Sequence, residues 1–251
     1  MFELRSVLNH LKELLRKAWK TGMPSDEYVR LLRKRGIRIG NNVLFRDPLH
    51  TSIDLTRPCL VEIGDNVDVN ANFSLMTHDF GTYVFRGYYK DFVNSSGKVK
   101  IGSNIVFGRD VTILKGVTIG DNCIIGAGSV ISKDIPANSV AVGYPAKVVC
   151  SLEDYYQRRK SLQVQEALEY GRELADYKGG IDKLQLSDFT EEWVLFLSLD
   201  EYNSNANARR NVDFRLKGRV DVKEFLNRPK PYINFAAFKD AIKESQNSIT
   251  K

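Results

Sequence analysis

The sequence predicts a mainly β fold, a parallel solenoid held between helical ends. Three observations carry that prediction. From Ile101 onward an apolar residue recurs at every sixth position: Ile101, Phe107, Ile113, Ile119, Ile125, Ile131 and Ala137. Four places further into each unit stand Ile105, Val111, Val117, Cys123, Ser129 and Ile135, small or β-branched apart from the thiol. On either side of the repeat, apolar residues fall instead at helical spacing.

Six is a poor helical period but suits short extended segments separated by turns. β-Branched residues favour strands, and the Gly-Ser-Asn and Gly-Asp-Asn pieces at 102–104 and 120–122 supply the turns. If each unit is one side of a triangular coil, residues 18 apart stack on successive turns, with parallel strands about 4.8 Å apart. One coil cannot bury its apolar residues alone, so stacking makes the core. The same register appears earlier in Ile63, Val69 and Leu75, and in Ile39 and Phe45. A β-sandwich would space its strands less evenly.

The N-terminal segment 1–35 reads as a helical cap. Val7, Leu8, Leu11, Leu14, Leu15, Ala18 and Trp19 lie at helical spacing, with Arg5, Lys12, Arg16 and Lys17 elsewhere on the same helix. Such a helix docks on a solenoid end or on a partner chain; the competing reading is peripheral contact with an anionic membrane surface. Ser25 is expected to cap a short second helix that runs to Arg35 and ends at Gly36. The solenoid itself is expected over 36–150, interrupted by a non-repeat loop at 79–98.

Residues 151–251 read as a helical module. "SLEDYYQRRKSLQVQEALEYGRELADY" is a long helix broken by Gly179 and Gly180, and Asp188 with Glu191 is expected to box the start of a helix over "FTEEWVLFLSLDEY". The stretch "NSNANARRN" is expected as a polar loop, and a last helix carries Phe235, Phe238 and Ile242.

The chain has 251 residues, enough for a sizeable core, and no apolar run of the roughly 20 residues a membrane span needs. The charged N-terminus does not read as a secretory signal. Cys59, Cys123 and Cys150 form no paired framework, which favours a reducing, cytoplasmic setting. The formal charge of +6 suits an anionic ligand or surface. Nucleic acid is not expected as a partner, because no helix-turn-helix, zinc or RNA-binding signature accompanies the charge.

The hexads, together with "IGAGSVISKDIPANSVAVGYPAKVV", resemble the hexapeptide-repeat acyltransferases over roughly residues 36–150, above all the galactoside and maltose types of sugar O-acetyltransferase. The resemblance implies a left-handed parallel β-helix and a homotrimer. It also implies acetyl-CoA as donor, a saccharide hydroxyl as acceptor, and work in surface polysaccharide biosynthesis.

His78 is the candidate general base. It follows the hexads ending at Leu75 and precedes the inserted loop, the point where the resembling enzymes place their base. A neutral imidazole can take the proton of an attacking alcohol. The loop carries Phe80, Tyr83, Phe85, Tyr88, Tyr89 and Phe92, too many aromatics for a free excursion. They are expected to pack over the site as a lid, with Tyr83, Tyr88 and Asn72 helping to hold the acceptor.

A long ligand lying along the solenoid axis should meet residues 18 apart, such as Arg109, Ala127 and Pro145, with Gly108, Gly126 and Gly143 letting it approach the backbone. The resemblance assigns acetyl-CoA to Arg109, Ala127, Ser132, Lys133 and Lys147. Arg109 stands where the resembling enzymes more often have a small hydroxyl residue, Lys147 where they have arginine, and His50 where they often have a sugar-binding asparagine.

Competing readings are an antibiotic-modifying acetyltransferase of the same fold and a non-catalytic scaffold. A metal hydrase needs three converging histidines. His10, His50 and His78 lack that spacing, so no metal is expected.

Overall fold

The computed structural model describes residues 22–249 apart from 217 and 218; the N-terminal amphipathic stretch at 2–20 lies outside the described residues. The chain divides into two compact units, one ending at Tyr156 and the other beginning at Gln157.

In the first unit the strands come in threes. β1 (Arg38–Ile39), β2 (Leu44–Phe45) and β3 (Ser52–Ile53) make the first coil. β4 (Val61–Ile63), β5 (Val67–Val69) and β6 (Ser74–Leu75) make the second. β7 (Val99–Ile101), β8 (Ile105–Phe107) and β9 (Thr112–Ile113) make the third, and β10 (Thr118–Ile119), β11 (Cys123–Ile125) and β12 (Val130–Ile131) the fourth. Each strand pairs in parallel with its counterpart one coil away, giving the sheets β1-β4-β7-β10, β2-β5-β8-β11 and β3-β6-β9-β12. The hairpin β13 (Ser139–Gly143) and β14 (Ala146–Ser151) extends the second sheet past β11, β14 antiparallel to β13.

The hexad residues fill the interior. Ile101, Phe107, Ile113, Ile119, Ile125 and Ile131 are buried, as are Ile105, Val111, Val117, Cys123, Ser129 and Ile135. Ala137 is exposed. The reason is a shorter last coil: Asn104 bonds Asn122 across 18 residues, but Asn122 bonds Asn138 across 16. Ile135 therefore lies beside Ile119 and takes the buried place expected of Ala137, and Ala141 lies beside Ile125.

The turns rest on asparagine. Asn42, Asn66, Asn104, Asn122 and Asn138 hold φ between 53° and 58°, the left-handed region asparagine tolerates better than most residues. Their side chains join into a ladder, with Asn42 Nδ2 donating to Asn66 Oδ1 at 2.7 Å and Asn104 Nδ2 to Asn122 Oδ1 at 2.8 Å. Beside them, Gly64 faces the next coil so closely that a Cβ would meet Gly102 O at 2.6 Å.

Helix α1 (Ser25–Lys34) covers the first coil: Tyr28, Val29 and Leu32 join the solenoid core, and the Tyr28 ring meets Phe45 edge-on at 5.1 Å. The expected Ser25 cap is replaced by a different bond. Ser25 Oγ accepts from Phe45 N at 2.8 Å, tying the helix to β2, while Pro24 occupies the cap position.

In the second unit, α3 (Leu152–Lys178, entering from the first unit) ends at Gly179 and Gly180, both at positive φ. The helix over "FTEEWVLFLSLDEY" does not form. Trp193, Leu195, Phe196 and Leu197 are all buried, which the apolar stripe of one helix cannot achieve. Glu192–Leu195 is a 3-10 turn instead, Asp188 pairs with Gln185, and Ser198 with Glu201 boxes α4 (Leu199–Ser204). The expected polar loop is likewise a helix, α5 (Ala206–Leu216), because Asn205 Oδ1 caps Asn207 N and Ala208 N at 3.0 Å and Ala208 and Val212 are buried one turn apart. After α6 (Val222–Leu226) comes α7 (Phe235–Ile249), whose Phe238 stacks on Phe196 at 4.7 Å and whose Ile242 packs so close to Gly171 that a Cβ there would meet Ile242 Cγ1 at 2.8 Å.

Candidate active site

The inserted loop leaves the solenoid after β6 and rejoins it at β7. Across it the pairing offset is 38 residues rather than 18, and the excess equals the loop 79–98 expected from sequence. The loop carries a helix, α2 (Thr82–Tyr88). His78 stands where the chain leaves the coil, pinned by a β-bridge to Ser96 on the returning strand.

A carboxylate orients the imidazole. His78 Nδ1 lies 2.6 Å from Asp54 Oδ2, and the Asp54 side chain is only 7% exposed. Asp54 Oδ1 accepts from Thr56 N at 2.9 Å and Thr56 Oγ1 at 2.6 Å, while Oδ2 also accepts from the Thr77 hydroxyl. Burial pushes this carboxyl up, but the hydrogen bonds from Thr56, Thr77 and His78 outweigh it and hold Asp54 well below the usual carboxylate range. An ionised Asp54 takes the Nδ1 proton as its partner, which leaves Nε2 as the acceptor nitrogen. That is the arrangement a general base needs.

Asp54 is absent from the sequence-based candidates. Counting one 18-residue coil back from His78 reaches Leu60, because the first coil pairs with the second at an offset of 24 in the first two sheets and 22 in the third, rather than 18. The available signal was a carboxylate directly after the buried Ile53, whose register partner Leu75 ends the strand before His78.

His78 opens onto a cleft of about 280 Å³ lined also by Arg57, Asp79, Phe80, Thr82, Arg86, Phe92, Asn94 and Ser95. Asp79 is tied up: Lys115 Nζ lies 2.7 Å from its Oδ2, Ser95 Oγ donates at 2.9 Å, and Gly81 N bonds Oδ1 at 3.1 Å. The Lys115 ammonium first, then these donors, lower its carboxyl to about 2.

The expected lid is only partly realised. Phe80 and Phe92 reach the cleft, the Phe80 ring 6.4 Å from that of His78, but both remain largely exposed. Tyr83 and Tyr88 do not line the cleft; Tyr88 is 77% exposed and packs edge-on against Tyr89 at 4.7 Å. Asn72 does not join His78 either. It sits at a coil corner with φ 60°, and its amide donates to Asp110 Oδ1 at 2.7 Å.

The cofactor column changes by one member. Arg109 and Ala127 stack, with Arg109 O accepting from Gly128 N at 2.8 Å, and both side chains are exposed. The short last coil then puts Gly143, not Pro145, next in line, and Gly143 N donates to Ser129 Oγ at 3.2 Å. Gly108 and Gly126 serve the stacking itself rather than ligand approach, since a Cβ on Gly108 would meet Ala127 N at 2.5 Å and one on Gly126 would run into the Val142 side chain. Ser132 and Lys133 are exposed just beyond β12, and Lys147 is exposed on β14 opposite Val142. His50 is held by Asp47, Nδ1 to Oδ2 at 2.6 Å, outside the cleft.

The bacterial transferase hexapeptide (six repeats) family matches residues 98–133. Protein CapG of Staphylococcus aureus is 33% identical over 145 residues, covering 58% of this chain and 81% of CapG. The galactoside O-acetyltransferase of Escherichia coli strain K12 is 41% identical over 118 residues, 47% of this chain and 55% of that enzyme, so the chain spans about half of its length. Among solved structures, a maltose O-acetyltransferase from Clostridium difficile 630 matches with TM-score 0.36 and 29% identity over 57% of this chain and 84% of that one. At 33% identity over 81% of CapG, and with the hexapeptide repeat matched at residues 98–133, the chain belongs to the hexapeptide-repeat acyltransferases.

Proposed function

We propose that the protein moves an acetyl group from acetyl-CoA to a hydroxyl of a saccharide, with His78 as general base. The observation that carries this reading is the Asp54–His78 pair at the mouth of a cleft, with Nε2 left free to accept a proton. The acceptor hydroxyl gives its proton to Nε2 as its oxygen attacks the thioester carbonyl. The C–O bond forms, the C–S bond breaks, and the proton passes from His78 to the departing thiolate. A backbone N–H is the natural donor to the developing oxyanion. Similarity to a galactoside O-acetyltransferase supports the saccharide acceptor.

In this reading the coils wind left-handed, the active form is a homotrimer acting in surface polysaccharide biosynthesis, and the donor lies along Arg109, Ala127, Ser132, Lys133 and Lys147. The stacked Arg109 and Ala127 and the exposed Lys133 and Lys147 are compatible with a long anionic donor. His78→Ala tests the chemistry: release of free thiol from acetyl-CoA in the presence of saccharide should fall about 10²–10⁴-fold, with coenzyme A affinity retained. Turnover at the wild-type rate would remove His78 from the mechanism.

A further inference from the structure

We propose that the acceptor is an anionic saccharide, one carrying a carboxylate or phosphate near the hydroxyl that is acetylated. This deepens the acetyl-transfer reading above and rests on it for the identity of the cleft.

The charges around His78 carry the inference. Two guanidinium groups line the cleft, Arg57 and Arg86, and neither has a carboxylate partner among the described residues. Arg57 Nη1 donates to Thr56 Oγ1 at 3.4 Å, while the Arg86 guanidinium lies 5.7 Å from the Tyr83 ring centroid. The carboxylate that lines the cleft, Asp79, is already neutralised by Lys115 at 2.7 Å. Asp54, behind the imidazole, spends its oxygens on Thr56, Thr77 and His78. Among the described residues, two positive charges therefore remain uncompensated beside the base.

A neutral sugar would leave them so. A planar guanidinium fork matches a carboxylate or phosphate, and charge-assisted hydrogen bonds are the stronger kind. Thr82 adds a second, independent sign of a missing ligand: its Oγ1 is buried in the cleft wall with no hydrogen-bond partner among the described residues. Such a hydroxyl is normally satisfied. An anion held between Arg57 and Arg86 would bring it an acceptor.

The test compares methyl galactoside, methyl galacturonide and methyl galactoside 6-phosphate as acceptors, by thiol release and, separately, by saturation-transfer NMR binding to the full chain without donor. The charged pair should exceed the neutral sugar by about tenfold or more in kcat/KM and in binding, the scale of one charge-assisted hydrogen bond. The carboxylate and phosphate arms show which anion is preferred. Arg57→Gln with Arg86→Gln should erase that preference while the coenzyme A dissociation constant and circular dichroism spectrum stay unchanged. Equal use and equal binding of neutral and charged sugars overturns the inference, as does a preference that survives the double variant. A double variant that loses coenzyme A affinity instead assigns the arginines to the donor and also overturns it. If no acceptor releases thiol, the acetyl-transfer reading fails, and the binding arm still decides whether the cleft selects anions.

Discussion

At the residue scale, the decisive contact is Asp54 with His78. Asp54 touches no reacting atom in the proposed chemistry, so it is a positioning residue. Asp54→Asn can offer its amide N–H to Nδ1, which favours the tautomer with the proton on Nε2 and turns the base into a donor. The expected result is a fall in kcat within the about 10²–10⁴-fold attributed to general base catalysis, little change in KM for acetyl-CoA, and partial recovery in Asp54→Glu. A raised KM with kcat intact would instead mean that Asp54 only shapes the pocket. The same residue has a pH signature. Its carboxyl is depressed in the fold, so its contribution is fully present above the unfolded value of about 3.9 and is lost as pH falls through the lower folded value. Unfolding midpoints measured by circular dichroism from pH 6 downward should therefore fall more steeply below about pH 4 in the wild type than in Asp54→Asn. The exposed lysines offer a different readout. Lys147→Ala or Lys133→Ala should weaken coenzyme A binding roughly two- to fivefold, more at low salt, because such contacts are point charges in water. Calorimetry that shows no loss for either variant would move the phosphates elsewhere.

At the element scale, the hexad repeat identified the coils because every sixth position faces one shared core, from Ile101 to Ile131. What it missed follows from places where the chain departs from that period. The last coil is two residues short, which exposes Ala137 and shifts the donor column from Pro145 to Gly143. The first coil is long, which hid Asp54 from a count of 18. Helix α5 is hidden in the sequence because Asn205 looks like loop composition while acting as a cap. The insertion shows in the sequence as a break in period, but its aromatics suggest a lid because composition reports their number and not their packing. The glycines separate two causes that sequence runs together. Gly108→Ala puts a methyl 2.5 Å from Ala127 N in the backbone of the next coil, and should cost about 1–3 kcal/mol, the usual price of overpacking. Gly87→Ala, in α2 with nothing within 4 Å of the new methyl, should be neutral or stabilise the loop helix by up to about 1 kcal/mol. Thermal unfolding of the two variants side by side checks the contrast; a Gly108→Ala protein as stable as wild type would mean the coils stack more loosely than the structure has them.

At the scale of the whole molecule, the solenoid unit contains each residue of the proposed base, cleft and donor column, while the unit from Gln157 has its own aromatic core around Phe189, Phe196 and Phe238. A growing polysaccharide or its lipid-linked unit is far larger than a cleft of about 280 Å³, and contacts remote from the reacting hydroxyl can raise transfer efficiency. If the proposed acceptor is such a chain, the second unit is expected to hold it; the competing expectation is that it only steadies the proposed trimer. Truncation after Tyr156 leaves the four coils and the closing hairpin whole, together with the first residues of α3. The shortened protein should keep its β signal by circular dichroism and acetylate a monosaccharide at close to the full-length rate. Its kcat/KM for an acceptor of many sugar units should drop relative to that for the monosaccharide. If the ratio between long and short acceptors is the same with and without residues 157–251, the second unit does not read the acceptor. If both rates collapse together and the proposed trimer dissociates, its task is assembly instead.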